Sequence, residues 1–345
     1  MIELITPRLQ LRPWCPGDWP LVQSLLNDSG FRSFSSFQPL SDQEAQAFVQ
    51  QRHLVCQQNG GGLWLLWKAS ELVGHVQLLP QRLDEPPQPQ GEHHWELGYR
   101  LLQKYWGQGL ACEAADRVLK YAFRELQLSK VHAFIEPANQ RSAALIHKLG
   151  FAKGPVGVFK GNTVNIWSKH NLLAALDCHY ERDRVRTACM LVTDLQAQRT
   201  GRPLVRETQK SADYLSGQFY RRELGPLLDC LQALGEPSRY PEVIFIDAHV
   251  DLGAKGPGLG RHLFEALKER SAVIGVAKNP YNVDGRPVNV PVLRGQSSRP
   301  LFVSAAGITI ERAVEIVSKL PGPHRIPTLL KMTDQLARNS DFREI

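Results

Sequence analysis

The 345 residues predict an α/β protein in two domains. Three observations predict it. The chain is longer than one core ordinarily fills. Strand-like and helix-like apolar periodicities alternate from the start to about residue 170, and the alternation begins afresh after Lys169. Hydrophobic residues make up 43% and charged residues 22%, the composition of a chain that buries cores rather than one that stays disordered. The expected domains are residues 1–170 and 171–345.

In the first domain, residues 9–12 alternate as a strand and 42–58 carry a helical pattern. Residues 62–69 and 72–79 read as two strands about a turn, and 95–100 as another. Ala114, Ala115, Val118, Leu119, Ala122 and Phe123 recur at helical spacing and predict a helix over 112–126. A strand at 131–135, a helix at 140–149 closed by Gly150, and a hairpin over 151–168 follow. Pro86, Pro87 and Pro89 make residues 81–92 a loop, because proline at that density fits neither a central strand nor a helix interior. In the second domain, strands at 172–178 and 185–193 flank a turn at 181–184. A helix at 218–234, a strand at 243–246, a helix at 259–268, strands at 273–276 and 301–304, and a helix at 310–320 complete the pattern. Residues 281–298 read as irregular.

The net charge is +7, about +3 in the first domain and +4 in the second. That balance admits a polyanionic partner such as nucleic acid without requiring one. No apolar run approaches the roughly 20 residues of a membrane span, and residues 1–8 lack a signal-peptide layout. A cytoplasmic protein with no membrane partner is expected. The six cysteines are scattered without a C-x-x-C pair, which argues against a disulfide framework or a zinc site.

Two constellations carry chemistry. In the first, Glu96-Leu97-Gly98-Tyr99-Arg100 leads into Trp106-Gly107-Gln108-Gly109-Leu110-Ala111 and then a helix. A glycine turn opening a helix brings backbone N–H groups and the positive end of a helix dipole toward an anion. Thr6-Pro7-Arg8-Leu9-Gln10-Leu11-Arg12-Pro13-Trp14, Asn139-Gln140-Arg141-Ser142 and Lys148-Leu149-Gly150-Phe151 stand around it in order. Together these segments resemble the GNAT acetyltransferases, in particular the branch of the ribosomal-protein N-terminal acetyltransferases. The resemblance implies a GNAT fold, acetyl-CoA as cofactor and an amine acceptor. It places the pyrophosphate of the coenzyme on Trp106, Gly107, Gln108, Gly109, Leu110 and Ala111, and the pantetheine arm near Asn139 and Ser142. Glu96 is the expected general base, acting through water; a solvated strand carboxylate is the other reading of it. Ile146 stands where many of these enzymes carry a tyrosine acid. His93 and His94 read as exposed loop residues, with contact to substrate as the other reading.

The second constellation is three dispersed carboxylates. Asp177 lies in the apolar run 172–178, Asp247 ends the run 243–246, and Glu223 sits on the helix between them. If the two strands are neighbours, the carboxylates meet at one sheet edge, where a hard divalent cation would relieve their repulsion. Two structural aspartates, each satisfied on its own, are the other reading. The segments Asp177-Cys178-His179-Tyr180, 214–223, Phe245-Ile246-Asp247-Ala248-His249, Ile274-Gly275-Val276-Ala277-Lys278, 299–304 and His324-Arg325-Ile326-Pro327 occur in that order. They are similar to endonuclease V across about residues 172–338. The resemblance implies an RNase H-like fold and Mg²⁺ or Mn²⁺ held by Asp177, Glu223 and Asp247. It also implies Lys278 near the scissile phosphate, nucleic-acid contacts at Tyr214 and Gly275, and inosine-containing DNA or RNA as the partner. Three positions depart from the family pattern. Tyr214 lacks the flanking prolines of the family's wedge, Ala248 replaces a glycine, and no histidine falls in 306–309. Lys255, Arg294 and Arg299 are read as phosphate contacts or plain surface charges. The expected whole is a bifunctional acetyltransferase and nuclease acting in repair; an active acetyltransferase joined to a nuclease-like binding domain is the alternative.

Overall fold

In the computed structural model, which describes residues 2–30, 32, 38–86, 93–193, 203–209, 219–235, 240–283 and 286–339, the chain divides into two units, Met1–His170 and Asn171–Ile345. The first contains β1 (Leu4–Ile5), β2 (Gln10–Pro13), α1 (Trp19–Asn27), α2 (Asp42–Asn59), β3 (Gly62–Lys68), β4 (Glu71–Gln81) and β5 (His94–Leu101). It continues with α3 (Leu110–Lys120), β6 (Lys130–Ile135), α4 (Gln140–Lys148), β7 (Ala152–Phe159) and β8 (Asn162–His170). The strands form one sheet in the order β1-β2-β3-β4-β5-β6-β8-β7. Side chains alternate across it. Leu63 and Leu65 of β3 join α1 and α2 in one core, while Trp64 and Leu66 join α3 and α4 in the other. The Ser41–Glu44 capping box starts α2 and left-handed Gly60 ends it.

All neighbouring strands are antiparallel except β5 and β6, which run parallel and pair only at Glu96 and His132. Beyond that point the sheet forks. The predicted single helix over 112–126 is α3 followed by a π-helical turn, Tyr121–Glu125, closed by Leu126 N–H donating to the Tyr121 carbonyl at 3.1 Å. The wider turn lets Tyr121 pack edge-on against Trp64 at 5.8 Å while its hydroxyl donates to the Gly60 carbonyl. α1 was not legible as a periodic segment. His94, expected in an exposed loop, is half-buried in β5, with its Nδ1 3.1 Å from His132 Nε2.

The second unit contains β9 (Leu173–Glu181), β10 (Arg184–Val192), β11 (Pro203–Gln209), α5 (Phe219–Gln232), β12 (Val243–Ile246), α6 (Leu259–Ala266) and β13 (Ala272–Ala277). The short strands β14 (Asn282–Val283), β15 (Arg286–Pro287) and β16 (Val290–Val292) follow, then β17 (Leu301–Ala306), α7 (Ile310–Lys319) and α8 (Thr328–Arg338). Its main sheet has the order β11-β10-β9-β12-β13-β17-β16. An antiparallel meander, β9-β10-β11, is followed by β12 parallel to β9 and β13 parallel to β12, which is the RNase H-like arrangement. Helices cover both faces, α7 and α8 on one and α5 and α6 on the other. That explains why β9, β12 and β13 read as continuous apolar runs rather than alternating ones. The strands β11 and β16 and the helix α8 were not read from the sequence.

Helix α5 carries Pro226 in its interior. Proline has no N–H for the carbonyl of Arg222 four residues back. Tyr180 of β9 supplies the missing donor, its hydroxyl 3.1 Å from that carbonyl, while the Arg222 guanidinium stacks 3.3 Å from the Tyr180 ring centre. Glu223, the next residue, is thereby tied to β9. Tyr180→Phe removes the donor and should lower the stability of the second unit by about 1–3 kcal/mol. All seven tryptophans lie in the first unit, so tryptophan fluorescence reports that unit and far-UV circular dichroism reports both. In urea, the expected result is an earlier dichroism transition with the fluorescence transition unmoved; no shift in either would refute the role given to Tyr180.

Candidate active sites

The fork between β5 and β6 opens into a cavity of about 1110 Å³ in the first unit. Its walls include Leu97–Leu101 of β5 on one side and Ala133–Glu136 on the other. Glu96 sits at the apex, only 6% exposed. Burial pushes its carboxyl above the usual range, opposed by the hydrogen bond that Gln77 Nε2 donates at 2.7 Å and by the charges of Lys160, Arg100 and Arg52. The solvated-carboxylate reading of Glu96 is therefore corrected: the group is buried in a cavity wall. On β4, opposite β5, burial holds the His75 imidazole down to about 3, so it stays neutral, stacked on Trp14 at 5.6 Å.

The other end of the cavity is the glycine turn. Gly107 and Gly109 both have φ of +75°, a conformation that glycine adopts without strain, and a Cβ on Gly107 would meet nothing within 4 Å. The turn is held from outside. Glu113, in the first turn of α3, accepts from Thr6 Oγ1 at 2.6 Å and from Arg8 Nε at 2.6 Å, while Arg8 Nη1 donates to the Gln108 carbonyl at 2.9 Å. Trp106 Nε1 donates to the Leu101 carbonyl at 2.8 Å, with the Arg141 guanidinium 5.4 Å from the centre of its indole. Leu110 and Ala111 open α3 in the cavity wall. Asn139 and Ser142 reach the same cavity but have local partners. Asn139 caps α4 by accepting from the Ser142 N–H at 3.1 Å, and Ser142 Oγ lies 2.8 Å from the Tyr99 hydroxyl. Tyr99 was not singled out from the sequence, although it lies within the quoted strand, three residues beyond Glu96.

In the second unit, Asp177, midway along β9, and Asp247, just past the end of β12, come together where the parallel β9–β12 ladder stops. The register pairs Leu176 with Ile246, and each aspartate is one step further on. Burial first, then the charges of Asp247 and Asp334, push the Asp177 carboxyl up. Burial, then Asp177 and Asp247, push Glu223 up to about 8. Lys278 Nζ stands 2.5 Å from Asp247 Oδ2. Burial pulls the Lys278 ammonium down, but Asp247 and its neighbouring carboxylates outweigh that and raise it.

Asp334, within hydrogen-bonding reach of Asp177 from α8, was missed in the sequence. The signal was present: Leu329, Thr333, Leu336 and Ala337 are the buried face of an amphipathic helix. Residues 306–309, where no histidine falls, lie at the end of β17 that pairs with the start of β13, away from the carboxylates. Gly275 has a packing role, since a Cβ there would lie 2.3 Å from the Ala248 carbonyl. Arg294, read as a phosphate contact or surface charge, is neither. It is buried, with Nη1 donating to the carbonyls of His324 at 3.1 Å and Arg325 at 3.2 Å, and Nη2 to that of Leu320. Lys255 and Arg299 are exposed. Tyr214 lies outside the described residues.

Oxygen donors of net negative charge suit a hard divalent cation. Among the described residues, however, no three His, Cys, Asp or Glu side chains are drawn close enough to hold an ion together. The donor chemistry fits; the ligand set is not closed. Without a cation, Asp177 and Glu223 bind protons more tightly folded than unfolded. The contribution of these two groups to stability should therefore be fully present below the ordinary carboxylate range and be lost as pH rises through the interval from about 4.5 to about 8. Chemical denaturation of chelator-treated protein across that interval should show the loss as a stability that falls relative to Glu223→Gln; one that rises relative to it would contradict the geometry.

Two family models match the chain. The model of the acetyltransferase (GNAT) domain covers residues 8–152, and that of endonuclease V covers residues 161–335. Among similar proteins, an uncharacterized N-acetyltransferase of Bacillus subtilis is 26% identical over 160 residues, 46% of this chain and 86% of its own length. An FsC-acetyl coenzyme A-N(2)-transacetylase of Aspergillus fumigatus is 30% identical over 149 residues, 43% of this chain and 63% of its own. A crystal structure of endonuclease V from Ciona intestinalis, in complex with a 24mer DNA containing an inosine followed by a ribo-adenosine, aligns with a TM-score of 0.44 at 20% identity, covering 49% of this chain and 84% of that one.

Proposed function

We propose, for a chain that belongs to the endonuclease V family and carries a GNAT acetyltransferase domain ahead of that match, two activities: acetyl transfer from acetyl-CoA to an amine, and metal-dependent cleavage of inosine-containing nucleic acid in repair. The observation that carries the proposal is that each family match contains carboxylates where a β ladder stops, buried Glu96 in one and half-buried Asp177 with exposed Asp247 in the other. No membrane partner is proposed, since no helix among the described residues is long and apolar enough to cross a membrane.

In the first unit, the backbone of residues 106–111 would cradle the pyrophosphate, and nothing projects from Gly107 to obstruct it. The edge of β5 beyond Glu96 has no ladder partner in β6 among the described residues. An extended pantetheine arm would lie along it through its amides. Acetyl-CoA supplies the activated acetyl group. The amine must lose a proton as it attacks, and Glu96 is placed to take it, because burial already favours its protonated form.

In the second unit, Asp177, Glu223 and Asp247 would hold Mg²⁺ or Mn²⁺, with Asp334 beside them. A divalent ion there would activate water against a phosphodiester and stabilise the leaving oxygen. Lys278 would exchange its contact with Asp247 for the phosphate, and Tyr214 would fill the gap left by a displaced base. A nuclease-like domain that only binds nucleic acid is the second reading, favoured by the open ligand set and by Ala248 in place of glycine.

Both halves can be tested on one preparation. Gly107→Asp should weaken acetyl-CoA binding at least tenfold relative to Gly107→Asn, which imposes the same backbone without the charge; equal affinities by calorimetry would sink the cradle. Wild-type protein with Mg²⁺ or Mn²⁺ should cut an inosine strand and Asp247→Asn should not. No cutting by the wild type with either metal would leave the binding-only reading.

A further inference from the structure

Three separate elements each contribute a cation to the cavity of the first unit. Arg52 comes from α2, Arg100 from β5 and Lys160 from the tip of the β7–β8 hairpin, and all three line the cavity. Glu96 acts on all three, and Glu136 on Arg100 as well. Arg52 and Lys160 each also stand over an aromatic ring. The guanidinium carbon of Arg52 lies 5.4 Å from the ring centre of Phe48, one helical turn earlier, and Lys160 Nζ lies 4.8 Å from the ring centre of Phe159. Each therefore forms a flat aromatic face with a cation over it, and both faces border the one cavity. The repulsion of Lys160 by Arg52 is stronger than its attraction to Glu96. Asp84 acts on Lys160 more weakly still, and it is not part of the cavity wall. Among the described residues that line the cavity, four cations, Arg52, Arg100, Arg141 and Lys160, stand against two carboxylates, Glu96 and Glu136, and a bound anion would relieve the excess.

Resting on the acetyltransferase reading above, we infer that the acetyl acceptor is a small amine carrying its own anionic group, a carboxylate or a phosphate, which Arg52 and Lys160 bind while the amine faces Glu96. Phe48, Phe159 and Trp14 would then enclose the carbon skeleton between the two ends. The same cations serve the chemistry in a second way. An ammonium brought beside two positive charges gives up its proton more readily, and acetyl transfer needs the neutral amine.

The test uses the full chain and begins with acetyl-CoA binding by calorimetry, which decides the acetyltransferase reading separately. With CoA bound, affinities are then measured for two matched pairs: L-phenylalanine against L-phenylalaninamide, and 2-aminoethyl phosphate against ethanolamine. Initial rates of CoA release from acetyl-CoA are measured with the same four amines. The expected result is at least a tenfold preference, in affinity and in kcat/KM, for the anionic member of one pair; which pair responds identifies carboxylate or phosphate. Arg52→Gln and Lys160→Gln should each reduce that anionic-to-neutral ratio at least tenfold, with circular dichroism confirming the fold. If acetyl-CoA binds but neither anionic amine is preferred, or the ratio survives both substitutions, the inference is overturned and the coenzyme reading stands. If acetyl-CoA does not bind, both fall.

Discussion

Taking a carboxylate out of water costs several kcal/mol unless hydrogen bonds, counter-charges or a proton compensate it, and where a β ladder stops one unit buries Glu96 and the other half-buries Asp177. In the first, the single pairing of Glu96 with His132 is where β5 and β6 part, and the cavity exists because they part. In the second, the pairing of Ile246 with Leu176 is the last rung before Asp247 and Asp177. Where each ladder stops, β5 keeps its pairing with β4 and β9 its pairing with β10, so the backbone stays paired on one side while space opens on the other. The chemistry available to each unit depends on how its buried charge is balanced.

The two units balance it differently. Around Glu96 the compensation is built in, through the amide of Gln77 and the cations Arg52, Arg100 and Lys160. That environment suits a group that alternates between charged and neutral as a proton passes. Around Asp177 the neighbours are themselves acidic, with Asp247, Glu223 and Asp334 against the ammonium of Lys278 and the exposed Arg338. Such a cluster takes up either protons or an external cation. The supporting contacts are local and specific. Tyr180 repairs the hydrogen bond that Pro226 breaks beside Glu223, and Gly275 leaves room for the Ala248 carbonyl so that the segment after Asp247 can close over β13.

Much of this was legible in the residues. The continuous apolar runs ending at Asp177 and Asp247 betray strands buried on both faces. The glycine turn before Leu110 is the opening of α3, as its spacing implies. What escaped had physical reasons. Helix α1 has too few turns for its period to stand out beside Pro16 and Pro20. Strand β11 is largely exposed and mixes charged with apolar residues, and β16 is three residues long. Asp334 belongs to a helix far along the chain, and only the tertiary fold brings α8 against β9. Arg294 looked like a surface cation because nothing in its neighbours reveals that three carbonyls surround its guanidinium. The cations that share the acetyltransferase cavity lie at positions 52, 100 and 160, so no local motif could have joined them.

The acidic cluster of the second unit is proposed to receive a divalent cation. The most direct measurement of that claim is calorimetric titration of the full chain with Mn²⁺, beside Asp177→Asn and Asp334→Asn. Saturable Mn²⁺ binding by the wild type, lost in Asp177→Asn and weakened in Asp334→Asn, is the predicted result. A wild type that takes up no Mn²⁺ at millimolar concentration, or an Asp177→Asn variant that binds it as well as the wild type, would contradict the claim.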